Sequence, residues 1–111
     1  MIIYNAEING ELKTVVTEGN KIAAVEENRK NGDINAEGNR LIPGLIDVHT
    51  HGCIGMDTMD ADFEPMCRFY AEHGTTSFLP TTMTMGYDSL LKVTSAKTDF
   101  AGANILGFHF E

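Results

Sequence analysis

Basic residues are scarce in this sequence: eight lysines and arginines stand against sixteen acids among 111 residues, a formal charge of −8 at pH 7. A chain without a basic face has little with which to neutralise a phosphate backbone, so nucleic acid is not an expected partner. Long apolar runs are missing too. Nothing approaches the roughly 18 residues of a membrane span, and the N-terminus lacks the basic-then-apolar layout of a signal peptide. The expectation is a cytoplasmic chain with no membrane partner. Cysteine is sparse: Cys53 and Cys67 lie in unlike contexts that match neither a C-x-x-C metal knuckle nor a disulfide scaffold. Both read as free thiols that pack as small hydrophobes. No repeat or low-complexity stretch is present, and 42% hydrophobic with 22% charged residues is the balance of an ordinary soluble domain.

What is present falls into two parts. Residues 1–43 read as short strands separated by turns: Met1 to Ile8, Leu12 to Glu18 and Lys21 to Glu26. Asn9-Gly10 between the first two is a strong hairpin signal. Asn28 to Gly38 is polar and reads as a loop or a weak edge strand. From residue 44 the pattern alternates. Leu45 to His51 reads as a buried strand with polar groups at its end. Phe63, Met66, Cys67, Tyr70 and Ala71 have the spacing of one helical face over Phe63 to His73. Asp62 is the expected N-cap, Pro65 falls in the first turn, and Gly74 is the expected C′ residue. Thr76 to Leu79 reads as a strand ending at Pro80, Asp88 to Lys97 as a helix with Leu90 and Leu91 inward, and Asn104 to Phe110 as a last strand. The order βαβαβ predicts an α/β fold with a parallel sheet.

His49-Thr50-His51 is the sharpest chemical feature. Alternation along a strand sends residues 49 and 51 to one face, where both imidazoles can reach one Zn²⁺ or a related divalent ion. Asp47 shares that face and can orient a ligand. By pattern alone, an incidental pair of strand-end histidines fits equally. At the other end, His109 and Glu111 share a face opposite Phe108 and Phe110. Polar groups at the carboxyl end of a parallel strand lie where α/β folds carry their sites, although Glu111 also suits a solvated end. Asp57, Asp60 and Asp62 lack the ligand spacing of an EF-hand and read as capping charges. His73 suits a helix C-terminus, Glu64 and Arg68 form an i, i+4 pair, and the methionines at 56, 59, 66, 83 and 85 read as core filler.

Four segments together, Leu41-Ile-Pro-Gly-Leu-Ile-Asp-Val-His-Thr-His-Gly, Gly52-Cys-Ile-Gly-Met-Asp-Thr-Met-Asp-Ala, Gly74-Thr-Thr-Ser-Phe-Leu-Pro-Thr-Thr and Gly107-Phe-His-Phe-Glu, resemble the amidohydrolase superfamily. Within it they are most similar to the N-acetylglucosamine-6-phosphate deacetylase family. The resemblance implies that residues 1–43 are the first strands of a small β-sandwich domain and that residues 44–111 are the first βαβαβ portion of a (β/α)₈ TIM barrel. It implies that His49 and His51 end barrel strand 1 and that Glu111 is the metal-binding carboxylate ending strand 3. One or two divalent ions are implied, Zn first, with Fe, Mn or Co as alternatives. Gly52 to Gly55, Thr81, Thr82 and His109 are implied near the substrate end, without assigned roles.

The chemistry implied is metal-assisted hydrolysis of the N-acetyl amide of an amino-sugar phosphate, giving glucosamine 6-phosphate and acetate. The family's acid/base aspartate and its further histidine ligands are expected beyond residue 111. The phosphate is expected on basic residues elsewhere, in a homodimer of the full-length protein. A barrel needs about 250 residues, so the chain reads as an incomplete piece, inactive by itself. A cyclic-amide or peptide amidohydrolase of the dihydroorotase, dihydropyrimidinase or isoaspartyl dipeptidase kind, and an inactive metal-binding module, are the competing readings.

Overall fold

Asn9 and Gly10 hold positive φ values of 53° and 88°, the geometry a two-residue turn between right-twisted strands requires. In the computed structural model, which describes residues 1–111, they join β1 (Ile2–Ile8) to β2 (Glu11–Glu18). β3 (Lys21–Glu27) follows on the far side of β2, both pairings being antiparallel. The polar stretch after it is more than a loop. Its residues Ile34–Asn35 form β4, a short strand parallel to β1, which completes a four-stranded sheet of order β3-β2-β1-β4. β1 carries an irregularity between Ile3 and Ala6, where Asn5 takes φ 54°. Its freed backbone N–H donates to Asn28 Oδ1 at 2.8 Å, and its side chain donates to Asn35 Oδ1 at 2.9 Å. Asparagines thus supply the partners that the ladder withholds at a bulge. These strands lie in one compact unit, Met1–Pro43; the second is Gly44–Glu111.

The second unit starts with β5 (Leu45–Thr50), then a tight antiparallel hairpin of β6 (Gly52–Cys53) and β7 (Met56–Asp57). A 3-10 turn over Thr58–Asp60 leads to α1 (Glu64–Glu72), β8 (Thr75–Thr82), α2 (Tyr87–Thr94), β9 (Asn104–Ile105) and β10 (His109–Phe110). The sheet is parallel with β8 at its centre, flanked by β5 on one side and by β9 and β10 on the other. Its helix-facing core is Phe63, Met66, Cys67, Phe78, Val93 and Ala103, all at most 1% exposed. This is a mixed α/β architecture.

Local details differ from the sequence pattern in three places. Phe63, not Asp62, is the N-cap of α1 and makes no side-chain capping bond; its burial in the core fixes the entry instead. Asp57 and Asp60 do act as the capping charges expected of them, reciprocally across the 3-10 turn. In α2 the inward residue is Val93, while Leu91 is exposed. The last strand is interrupted between Ile105 and His109, where Gly107 has φ 154°. That break undoes simple alternation, so Phe108 packs 5.8 Å from Phe63 while Phe110 stands exposed.

Most telling is β8, which runs through Pro80 rather than ending there. A proline donates no backbone bond and is tolerated in a strand chiefly at edges and bulges. Here Pro80 lies opposite Thr50, beside a register shift in which β5 advances three residues, Asp47 to Thr50, while β8 advances two.

Candidate metal centre

That register shift falls on the histidine pair. His49 is inside it, and the backbone N–H of the next residue, Thr50, donates to the hydroxyl of buried Thr81 at 3.0 Å instead of to a ladder carbonyl. Thr81 has a second role: its carbonyl accepts the Nδ1–H of His51 at 3.2 Å. A carbonyl can only accept, so the neutral His51 ring carries its proton on Nδ1 and presents a lone pair at Nε2. Carbonyl-anchored imidazoles of this kind are the ordinary form of a metal ligand.

Glu111 reaches the same point from β10. His51 Nε2 lies 3.0 Å from Glu111 Oε2 and 3.3 Å from His49 Nε2. The ligand atoms of His49, His51 and Glu111 all lie within 4.8 Å of one another. Lone pairs and a carboxylate crowded this closely repel unless a proton or a cation sits among them. One imidazole and one carboxylate at the rim are exposed, and His51 is half-buried, so the cluster is open to solvent. Its donor set of two nitrogens and one oxygen suits Zn²⁺ and similar divalent ions, with room for further ligands.

The floor beneath is a chain of hydroxyls. The Tyr70 hydroxyl, on α1, lies 2.5 Å from Thr50 Oγ1, which also receives the Gly52 N–H at 3.3 Å. Thr58 Oγ1 donates to the Thr50 carbonyl at 3.3 Å, and the Thr58 N–H donates to the His51 carbonyl at 2.8 Å. The loop after the histidines is thereby tied back onto the strand that carries them. Gly52 is required there: φ is 144°, and a Cβ would stand 2.0 Å from the Met56 carbonyl oxygen. Burial pushes the Cys53 thiol upward, partly opposed by a hydrogen bond with Tyr70, and burial also pushes the Cys67 thiol and the Tyr70 hydroxyl upward. Neutral thiols in these positions pack rather than react.

Asp47 does not touch an imidazole. Its carboxylate accepts the His49 backbone N–H at 3.1 Å, so it shapes the strand end. His73 donates Nδ1–H to the Phe69 carbonyl at 2.7 Å and Arg68 pairs with Glu64 at 2.7 Å, both remote in role from the histidine pair. Sequence pattern alone gave Thr50, Thr58 and Tyr70 no site role, because single hydroxyls carry no periodic signal. An open cleft of about 440 Å³ lies in the first unit, lined by Glu7, Asn9, Gly10, Arg40, Leu41 and Ile42. Glu7 and Arg40 of its wall form an ion pair at 2.8 Å, and it gathers no metal-ligating cluster.

Fold and site together define an α/β protein with a candidate metal centre near the carboxyl ends of parallel strands. No protein-family model matches the sequence. Along nearly its whole length, however, the chain is similar to N-acetylglucosamine-6-phosphate deacetylases. It is 35% identical to that of Bacillus subtilis (strain 168) over 93% of this chain and 28% of the relative. It is 34% identical to that of Lysinibacillus sphaericus over 98% and 31%, and 33% identical to that of Vibrio furnissii over 99% and 30%. The crystal structure of the Thermotoga maritima deacetylase superposes with a TM-score of 0.63 at 35% identity, over 85% of this chain and 26% of that one. The Pasteurella multocida deacetylase gives 0.67 at 24% identity over 98% and 33%, a likeness of fold. The chain thus spans about three-tenths of the length of the curated relatives it matches.

Proposed function

We propose that these residues form part of a metal-dependent deacetylase that hydrolyses the N-acetyl amide of N-acetylglucosamine 6-phosphate to glucosamine 6-phosphate and acetate. The observation that carries this reading is the convergence of His49, His51 and Glu111 within 4.8 Å, in a chain 35% identical to the B. subtilis deacetylase.

In this reading residues 44–111 are the opening βαβαβ portion of a (β/α)₈ barrel, and residues 1–43 are strands of an accessory β-sandwich domain. Exposure on the sheet supports it. Leu45, Ile46, Val48 and Phe110 are each more than half exposed, whereas strands of a parallel sheet are normally covered on both faces. Further strands and their helices would cover them.

His49 and His51 would hold the ion through Nε2, and Glu111 through its carboxylate. When bound, a divalent ion supplies Lewis acidity toward the acetyl carbonyl and lowers the pKa of water toward about 7. The chain's own contribution is orientation: the Thr81 carbonyl fixes the His51 tautomer, and Thr81 Oγ1 with Asp47 fixes the backbone between the two rings. The acid/base aspartate and the phosphate-binding cations come from residues outside this chain, the latter from the partner in a homodimer. A phosphorylated amino sugar does not cross a bilayer unaided and stays where it is made; we assign the reaction to the cytoplasm on that basis. Zn²⁺ is the ion we assign first.

The test is acetate release from N-acetylglucosamine 6-phosphate by the full-length protein, with and without chelator. Turnover that a chelator removes and Zn²⁺ restores is expected, and His51→Ala should abolish it. No turnover with any divalent metal rejects the assignment.

A further inference from the structure

His51 is held by a carbonyl, but the ring of His49 is not. Its polar contact is with His51 Nε2, across the candidate site itself, and the residue is exposed. An exposed imidazole with no outer anchor samples several rotamers and must surrender them when it ligates. What restrains it is a third histidine. The His109 ring lies 4.5 Å from that of His49, centroid to centroid, with planes at 67°. The two rings pack edge to face, closer than the His51 ring, which lies 5.2 Å from that of His49 at 72°.

His109 is itself fixed. Its Nδ1–H donates to the carbonyl of Val48 at 3.0 Å, the residue immediately before His49. β10 and β5 are not neighbours in the sheet, since β8 lies between them. The bond therefore bridges over the end of β8 and joins the strand that carries Glu111 to the strand that carries His49. β10 is only two residues long and pairs with β8 only through His109 and Phe110. Without this cross-link, Glu111 would be located by that short pairing and by the Thr84 hydroxyl, which donates to its carbonyl at 3.1 Å.

Resting on the metal-centre reading above, we propose that His109 is a positioning residue for the cation site. Its ring sets the rotamer of His49, and its bond to Val48 sets the spacing between the histidine strand and Glu111. Outer partners of metal ligands typically contribute about 10–100-fold in affinity, and His109 accounts for such a loss through His49 and Glu111 rather than as a ligand.

The experiment is a Zn²⁺ and Co²⁺ affinity measurement on the full-length protein by competition with a chromophoric chelator. The variants are His109→Ala, His109→Phe, His49→Ala and the double variant His49→Ala/His109→Ala. His109→Ala should weaken binding about 10–100-fold. His109→Phe, which keeps the packing ring but loses the donor, should fall between parent and His109→Ala; it also carries the comparison if circular dichroism shows the alanine variant unfolded. Once His49 is gone, His109→Ala should cause a smaller further loss, the part that acts on Glu111 through the bond to Val48. Parental affinity in both His109 variants overturns the proposal, as does an undiminished loss in the His49→Ala background. A Co²⁺ visible spectrum that loses one nitrogen ligand in His109→Phe also overturns it, because His109 would then be a ligand. Absence of metal binding by the parent rejects the metal-centre reading itself, and is separate from all of these.

Discussion

Thr81 holds two atoms of the candidate site at once, the Thr50 N–H through its hydroxyl and the His51 ring through its carbonyl. Replacing it with valine keeps the shape and the carbonyl but removes the hydroxyl. The buried Thr50 N–H then has no acceptor, a loss worth about 1–3 kcal/mol. Thr81→Val should lower stability by that amount in denaturant unfolding, and weaken Zn²⁺ binding further by loosening the segment between the histidines. Parental stability would show that Thr50 finds another partner. At this scale the residue types were readable from sequence: H-x-H at a strand end and a carboxylate at the end of a later strand. Their supports were not. The hydroxyls of Thr50, Thr58 and Tyr70 meet only because a strand, a turn and a helix are folded over one another.

The parallel sheet depends on α1 for cover, and the helix contributes Met66 and Cys67 to a core with Phe78 behind them. Met66 is fully buried. Met66→Ala should cost about 2–5 kcal/mol, visible as a lower denaturation midpoint, whereas truncating exposed Leu91 should change little. Equal effects would mean that α1 is not the principal cover. Helix α1 was legible because its apolar residues recur every three or four positions, and β1 to β3 because turn residues separate apolar runs. β4 was only partly legible, since two residues paired at an edge leave no pattern. The extension of β8 through Pro80 ran against local propensity; a register shift in the neighbouring strand makes room for it.

For the whole molecule, the decisive quantity is extent. The 111 residues cover about three-tenths of the curated deacetylases they resemble, and they leave apolar side chains of a parallel sheet uncovered. Tested alone, these residues should release no acetate from N-acetylglucosamine 6-phosphate, and should bind an apolar dye at Leu45, Ile46, Val48 and Phe110. Chelator-sensitive turnover from rigorously purified material of this length would contradict that expectation.

By itself the sequence determined β1 to β3, β5 and the two helices, because periodicity and turn chemistry are local, and it marked His49, His51 and Glu111 as candidate ligands. Only the tertiary structure decided how those ligands are held. Residues 49 and 111 are far apart along the chain and sit on strands separated by β8. Their distance, the proton on His51 and the ring of His109 against His49 are fixed by register and packing, which no local pattern encodes.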